Sequence, residues 1–586
     1  MALVNITKNM ENRIVDKLRF LYGEEKCEHI YDEIEKLINK FIRQYKYEKT
    51  DKEWVDEKDV YLITYGDNIR KEGKTPLKTL HKFLKDNLKG IITNVHILPF
   101  YPYSSDDGFS VIDYCEVNPD LGNWDDIQEM SKDFQLMFDA VINHISAKSN
   151  WFQGYLKGEE EYKDFFIETE PCPELSKVTR PRALPLLTEF ETADGVKKVW
   201  TTFSADQIDL NFKNEKVLLK IIEVLLFYVA MGARTIRLDA IGYLWKKIGT
   251  SCIHLDETHK AIQLFRDILN IVAPETILIT ETNVPHKDNI SYFGDGYNEA
   301  QMVYQFPLPP LVLNAYQTGN ASHLLKWADS LEQISERTTF FNFLASHDGI
   351  GVMPAKGILS DEEIEDMVKR AKEYGGYVSY KDNGDGTKSP YELNINYFDA
   401  LSHPKDDEDI KIKRFIGSQA ILLSLIGVPA VYVHSLLGSR NYNRGVEESG
   451  IFRRINREKL SKETLESELA NENSLRNKIF TKYCDLIKIR KGQKAFHPNA
   501  EQKVVFLNDS VFSFIRTSLD KEERILTLFN VSNTEQQISI NLNDCIDNEV
   551  SILTDLVSDK EYKANEGIVN IVLKPYEFMW LKNKNK

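Results

Sequence analysis

ARTIRLDAIGY, residues 233–243, opens on apolar and β-branched residues and ends in a carboxylate, Asp239. ETILITETNV, residues 275–284, follows the same plan and ends at Glu281. Between them THKAIQLFRDILNIVAP (258–274) carries its apolar residues at the spacing of an amphipathic helix. Strand, helix and strand in that order predict a βαβ unit with two parallel strands. Similar strand-like runs extend in both directions: VYLITYGD from residue 60, NVHILPF from 94, LMFDAVINH from 136, MVYQFPLP from 302, TTFFNFLASHD from 338 and VPAVYVHS from 428. Eight runs alternating with amphipathic segments suit an α/β fold, a closed (β/α)8 TIM barrel over 58–494.

Three stretches fall outside the alternation. Residues 1–57, with IYDEIEKLINKFIRQY at 30–45, predict a helical extension packed on the barrel. Residues 147–204 hold Pro, charge and aromatics without a clear helix, as expected of an inserted region grown from one βα loop. A second excursion, 373–398, is rich in Gly, Asn, Asp and Tyr. From 495 to 586 short alternating runs such as KVVFLNDSVFSFIRTS and RILTLFNVSN predict a closing antiparallel β-domain.

The formal net charge of −16 argues against general affinity for nucleic acid or an anionic membrane. MALVNITKNMENRIVDKLRF lacks the pattern of a secretory leader, and no run of about 18 apolar residues occurs, so a cytoplasmic enzyme is expected. The six cysteines are scattered, without CxxC spacing, and read as reduced and mostly buried. His254, His259, His323 and His403 lack metal-ligand spacing. KDNGDGTKS (381–389) lacks the twelfth-position glutamate of a calcium loop and reads as a flexible turn. No metal and no nucleotide cofactor is expected.

Barrel enzymes keep their chemistry at the C-terminal ends of the strands. Asp239, Glu281 and Asp348 fall there, the first two on neighbouring strands. Paired carboxylates of this kind suit glycosyl transfer, one as nucleophile and one as proton donor. Arg237, two residues before Asp239, projects from the same face of its strand and is expected to hold that aspartate ionised.

DAVINH (139–144), RLDAIGY (237–243), ITET (279–282) and SHD (346–348) resemble the four ordered signature regions of the α-amylase clan. HILPFYPYSSDDGFSVIDY (96–114), TTFSADQIDL (201–210), IGTSC (248–252) and RRINRE (453–458) look like the sucrose-phosphorylase branch. The resemblance implies Asp239 as nucleophile, Glu281 as acid/base and Asp348 as stabiliser of the distorted sugar. It implies that His144, Arg237, His347 and Gln207 bind the glucosyl ring, with Phe109 and Tyr243 stacking on it. Asp106 and Arg453 would pair beneath the ring and close the pocket.

A phosphorylase must hold an anion beside the anomeric carbon. The loop VTRPRALP supplies Arg180 and Arg182, and arginine suits bidentate phosphate. Tyr391 in SPYELN could donate to the same oxygens, and phosphate would be a co-substrate. After the acid/base, Glu281-Thr282-Asn283 departs from the Glu-Val-His pattern of sucrose phosphorylases, and Glu392 stands where they carry glutamine. These departures are similar to the glucosylglycerate-phosphorylase group. They imply cleavage of 2-O-α-D-glucosylglycerate by phosphate, with Arg180, Arg182, His286 and Arg440 as candidate cations for the glycerate carboxylate. Sucrose, sucrose 6-phosphate and glucosylglycerol are the rival donors, and a hydrolase of the same clan is the rival class. The expected partners are a small α-glucoside and phosphate, on a monomer or homodimer.

Overall fold

The computed structural model describes residues 6–45, 54–182, 184–383, 386–542 and 552–583. Its centre is a closed barrel of eight parallel strands. They are β1 (Tyr61–Thr64), β2 (Asn94–Ile97), β3 (Gln135–Ala140), β4 (Ala233–Leu238), β5 (Ile277–Thr280), β6 (Met302–Tyr304), β7 (Thr339–Asn342) and β8 (Val428–Tyr432). Each pairs with its neighbours in sequence, and β8 closes onto β1, with Ala430 opposite Tyr61. These are the eight runs expected from sequence. They were legible because a strand buried on both faces reads as a continuous apolar run. β4 and β5 align Arg237 with Ile279 and Leu238 with Thr280, which brings the ends of the two strands together.

Two N-terminal helices, α1 (Lys8–Tyr22) and α2 (Glu24–Gln44), lie outside the barrel. They pack on α3 (Glu215–Ala230) and α4 (Asp256–Val272), the helices preceding β4 and β5. Ile14 and Leu18 of α1 and Ile30, Ile34, Ile38 and Phe41 of α2 recur at helical spacing and are buried. Each such side chain contributes about 1.5–3 kcal/mol by leaving water. The exposed pair Lys40–Glu223 at 2.7 Å belongs to a class worth only ~0.2–1 kcal/mol. Apolar burial therefore docks the extension. This cover also explains why α3 is too apolar for a surface helix, with nine buried residues. Asp267 of α4 fixes the orientation, paired with Arg13 and, at 2.7 Å, with Lys17.

The excursion after β3 carries more structure than its composition suggested. It holds a helix (Asn150–Leu156) capped by Ser149, and a hairpin of Leu187–Thr192 with Gly195–Trp200. The helix is seven residues long, three of them aromatic, and is too short to show a period. The second excursion forms a hairpin of Tyr377–Asp382 with Lys388–Asn394. The expected turn in KDNGDGTKS falls on Gly384 and Asp385, which lie outside the described residues. C-terminal to the barrel a six-stranded sheet begins at Glu501–Val504, joined by a separate pair of Gln536–Asn541 with Ile568–Leu573. All of these pairings are antiparallel. Cys27, Cys252 and Cys484 are buried free thiols, Cys172 is half-buried and Cys115 exposed. Cys545 lies outside the described residues.

Candidate active site

The C-terminal ends of β2 to β5 present one continuous ionic chain. His96 Nε2 lies 2.7 Å from Asp139 Oδ2, Asp139 in turn pairs with Arg237, and Arg237 Nη1 donates to Asp239 Oδ1 at 2.7 Å. The Arg237 guanidinium also sits over the rings of Phe109 (5.7 Å) and Tyr304 (5.4 Å). It reaches Glu281 only at 3.9 Å. Glu281 is held instead from the backbone, where Ala240 N donates to its Oε2 at 3.0 Å. Ala240 adopts φ 48° and ψ 30°, a left-handed conformation that costs a residue with a Cβ about 1–2 kcal/mol. Strain of this size persists where the surroundings over-determine it, and here it aims an N–H at the second carboxylate.

Burial dominates the titration of both groups. It pushes Glu281 up to about 7, with Arg237 opposing and Asp239 and Asp348 adding repulsion. Burial also raises Asp239, against the pull of Arg237. The guanidinium bonds Asp239 directly and Glu281 only at a distance, so the proton that the pair holds near neutrality sits on Glu281. Asp348 goes the other way. Burial would raise it, but Arg453, His347 and Arg457 hold it well below the carboxylate range.

A carboxyl raised in the folded state is stabilising below its unfolded value near 4.5, and that stability is lost as pH rises through about 7. Glu281→Gln removes this loss and keeps an acceptor for Ala240 N. The variant is expected to gain stability over the native protein between pH 4.5 and 8, by about 3 kcal/mol at the upper end. Denaturant melts of both proteins at pH 4.5 and pH 8 check it. A constant difference across that range would remove Glu281 as the titrating group.

A cavity of about 100 Å³ opens above these groups. Fourteen sequence-predicted residues line it: Asp106, Phe109, His144, Arg182, Gln207, Arg237, Asp239, Tyr243, Glu281, Asn283, His347, Asp348, Tyr391 and Arg453. Phe109 and His347, which both line the cavity, stack on each other at 4.8 Å with 7° between their planes. His144 Nε2 and Gln207 Nε2 both donate to the Phe109 carbonyl, at 2.9 and 3.0 Å. Burial lowers both His144 and His347, the latter to about 3, so each ring is neutral at pH 7.

The ion pairs differ from the expected arrangement. Asp106 Oδ2 accepts from Arg182 Nη2 at 2.9 Å and from Gln207 at 3.3 Å. Arg453 turns instead to Asp348 (2.7 Å) and to Glu392 (3.0 Å). The expected Asp106–Arg453 pair is thus replaced by two crossed pairs, because each arginine has a nearer carboxylate. Glu392 is buried against Arg453 and Gly349 N and is not among the residues lining this cavity. Arg440 lies outside the cavity, on Asp399 at 2.5 Å and over Phe398, and drops out as an acceptor cation.

At the mouth, Asn283 Nδ2 reaches the Tyr391 hydroxyl at 3.5 Å. Burial pushes Tyr391 up to about 12, so it is a neutral donor. Arg180 and His286 are half-buried and line the cavity at no point; each keeps a buried ring or guanidine nitrogen without a hydrogen-bond partner.

Sequence reasoning missed Phe203, which lines the cavity, packs edge-on against Tyr243 and lies 5.6 Å beneath Arg182. It also missed Lys246, a buried lysine 2.6 Å from Asp209 and 2.7 Å from Asn143 Oδ1. Phe203 was visible within TTFSADQIDL. Lys246 gave no signal, since a lone lysine reads as solvated surface.

Residues 84–365 match the family model of the α-amylase catalytic domain, and 505–580 that of the maltogenic amylase C-terminal domain. A glucosylglycerate phosphorylase of Spirochaeta thermophila is 48% identical over 97% of this chain and 98% of its own. The glucosylglycerate phosphorylase of Escherichia coli is 46% identical over 98% of this chain and 100% of its own. The crystal structure of sucrose 6F-phosphate phosphorylase from Thermoanaerobacter thermosaccharolyticum superposes with a TM-score of 0.71 at 26% identity, covering 87% of this chain and 98% of that one. With paired carboxylates at the ends of β4 and β5 and arginine at the mouth, the chain belongs to the α-amylase family, as a glycosyl-transferring phosphorylase of the branch that holds the glucosylglycerate and sucrose phosphorylases.

Proposed function

We propose that this enzyme is a retaining glucosylglycerate phosphorylase, converting 2-O-α-D-glucosylglycerate and phosphate into α-D-glucose 1-phosphate and D-glycerate. The observation that carries the mechanism is the split between two buried carboxyls, Glu281 pushed up to about 7 and Asp239 bonded to Arg237. Asp239 attacks the anomeric carbon while Glu281 gives its proton to the departing glycerate oxygen. The bond to glycerate breaks, and a glucosyl ester forms on Asp239. Phosphate then attacks that carbon from the vacated side, the ester breaks, and Glu281 recovers a proton from the incoming oxygen. Arg182 is the cation we assign to phosphate, on the support that it lies over Phe203 and lines the cavity together with Tyr391. Glycerate as acceptor rests on the relatives of 46–48% identity and on Asn283 at the rim.

The reading takes the enzyme as cytoplasmic, working on small molecules without a cofactor. No helix among the described residues is long and apolar enough to cross a membrane. The test offers glucosylglycerate, sucrose, sucrose 6-phosphate and glucosylglycerol, each with phosphate, and measures glucose 1-phosphate. Glucosylglycerate is expected to give the highest kcat/KM. A higher value for sucrose rejects the glycerate assignment, and free glucose released at a rate indifferent to phosphate rejects phosphorolysis.

A further inference from the structure

The turn Ser105–Gly108 separates two cavities. Asp106, Phe109, His347 and Asp348 line the inner one, above the carboxylates. Asp107 lines an outer one of about 660 Å³, together with Tyr65, Arg454 and Arg457. Asp106 and Asp107 are consecutive residues in the left-handed region, at φ 54° and 48°. Gly108 follows at φ 114°, where a Cβ would lie 2.8 Å from the Pro99 carbonyl oxygen. Aspartate tolerates this region better than most residues, yet two in succession need external ties.

Asp106 has its ties inside, to Arg182 and Gln207, and those of Asp107 are on the outer side. Asp107 Oδ1 accepts from Arg454 Nη2 at 2.8 Å, and Oδ2 from Arg457 Nη1 at 2.7 Å. Arg457 is buried and continues inward: its Nε donates to the His347 carbonyl at 2.8 Å, and its Nη2 lies 3.6 Å from Asp348. One guanidinium thus joins the strained turn to the His347–Asp348 backbone. Phe109, which follows the turn, stacks on the ring of His347, whose carbonyl Arg457 holds. Burial alone would raise the Asp107 carboxyl, but Arg454 and Arg457 hold it below its usual range, so the clamp is charged at neutral pH.

We propose that Asp107 is a positioning residue for the sugar pocket: from outside the cavity, through Arg457, it holds the turn that carries Asp106 and Phe109 in register with His347 and Asp348. This rests on the assignment of the inner cavity to the glucosyl unit. Its tie to the phosphate cation is indirect: Asp107 bonds Arg454 and Arg457, and reaches Arg182 only through its neighbour Asp106.

The two half-reactions separate these effects. For the glucoside, kcat/KM measures the transition state against free enzyme and free sugar, so it registers everything the pocket contributes. For phosphate, kcat/KM starts from the glucosyl-enzyme, where the ring is already in place. Asp107→Asn, which keeps the size and the tolerance of left-handed φ, is expected to lower kcat/KM for the glucoside about tenfold, and Asp107→Ala about 30-fold. For phosphate both variants are expected to stay within about threefold of native. Equal losses in the two constants, or a lower melting temperature with both constants unchanged, would overturn the proposal. If the alanine variant does not fold, the asparagine variant decides alone. The measurement uses whichever α-glucoside the native enzyme turns over, so an error in the acceptor shows in the native panel and leaves this ratio intact.

Discussion

Asp239→Asn is expected to lower glucose 1-phosphate formation by about four orders of magnitude or more while the fold survives. A nucleophile that forms the covalent intermediate has no substitute nearby, and removing such a residue costs on the order of 10⁴–10⁶ in turnover. Survival of the fold follows from the ionic chain beneath. Arg237 keeps Asp139, which is itself held by His96, so the substitution strands no buried cation. The asparagine oxygen can still accept from Arg237. Initial rates beside a thermal melt check the point. Residual activity above about 1% with an unchanged melting temperature would mean that another group attacks the anomeric carbon.

Glu281→Gln carries the second large effect, about 10²–10⁴ in turnover of a glucoside whose leaving group needs a proton. The loss depends on that need. A donor such as α-glucosyl fluoride departs as an anion unaided, and with it the variant is expected to form the glucosyl-enzyme within about tenfold of the native rate. The pH profile provides an independent check. Burial places Glu281 at about 7, so native kcat/KM for the glucoside is expected to fall as pH rises through that value. The variant has no such limb. A variant equally slow on both donors, or one that keeps the alkaline fall, would move the acid role to another residue.

Legibility in the sequence follows the range of the forces involved. The eight strands could be read because burial on both faces writes an apolar run into each segment. Asp239, Glu281 and Asp348 could be read because barrel geometry fixes where a strand-end side chain points. Ion-pair partners could not. Asp106 and Arg453 are separated by 347 positions in sequence, and whether they meet depends on three nearer rivals, Arg182 for one and Asp348 with Glu392 for the other. Charge is promiscuous at this range, so a pattern of residue types does not select among these pairings. Arg440 failed for the same reason, captured by Asp399 outside the cavity. The arginines of RRINRE show the reverse case. Arg454 and Arg457 lay within a quoted motif, but their partner Asp107 was hidden beside the more conspicuous Asp106.

The docking of α1 and α2 onto α3 and α4 has a consequence for synthesis of the chain. The first two helices leave the ribosome early, yet the surfaces that bury Ile14, Ile30 and Ile34 are encoded beyond residue 214. At ~5–20 residues per second, that interval is roughly 10–40 s. Throughout it two amphipathic helices expose their apolar stripes to whatever binds nascent protein. Their final seat exists only when the segments around β4 and β5 have emerged. The two helices are thus made well before their seat, and they settle on the two helices that lead into the carboxylate-bearing strands.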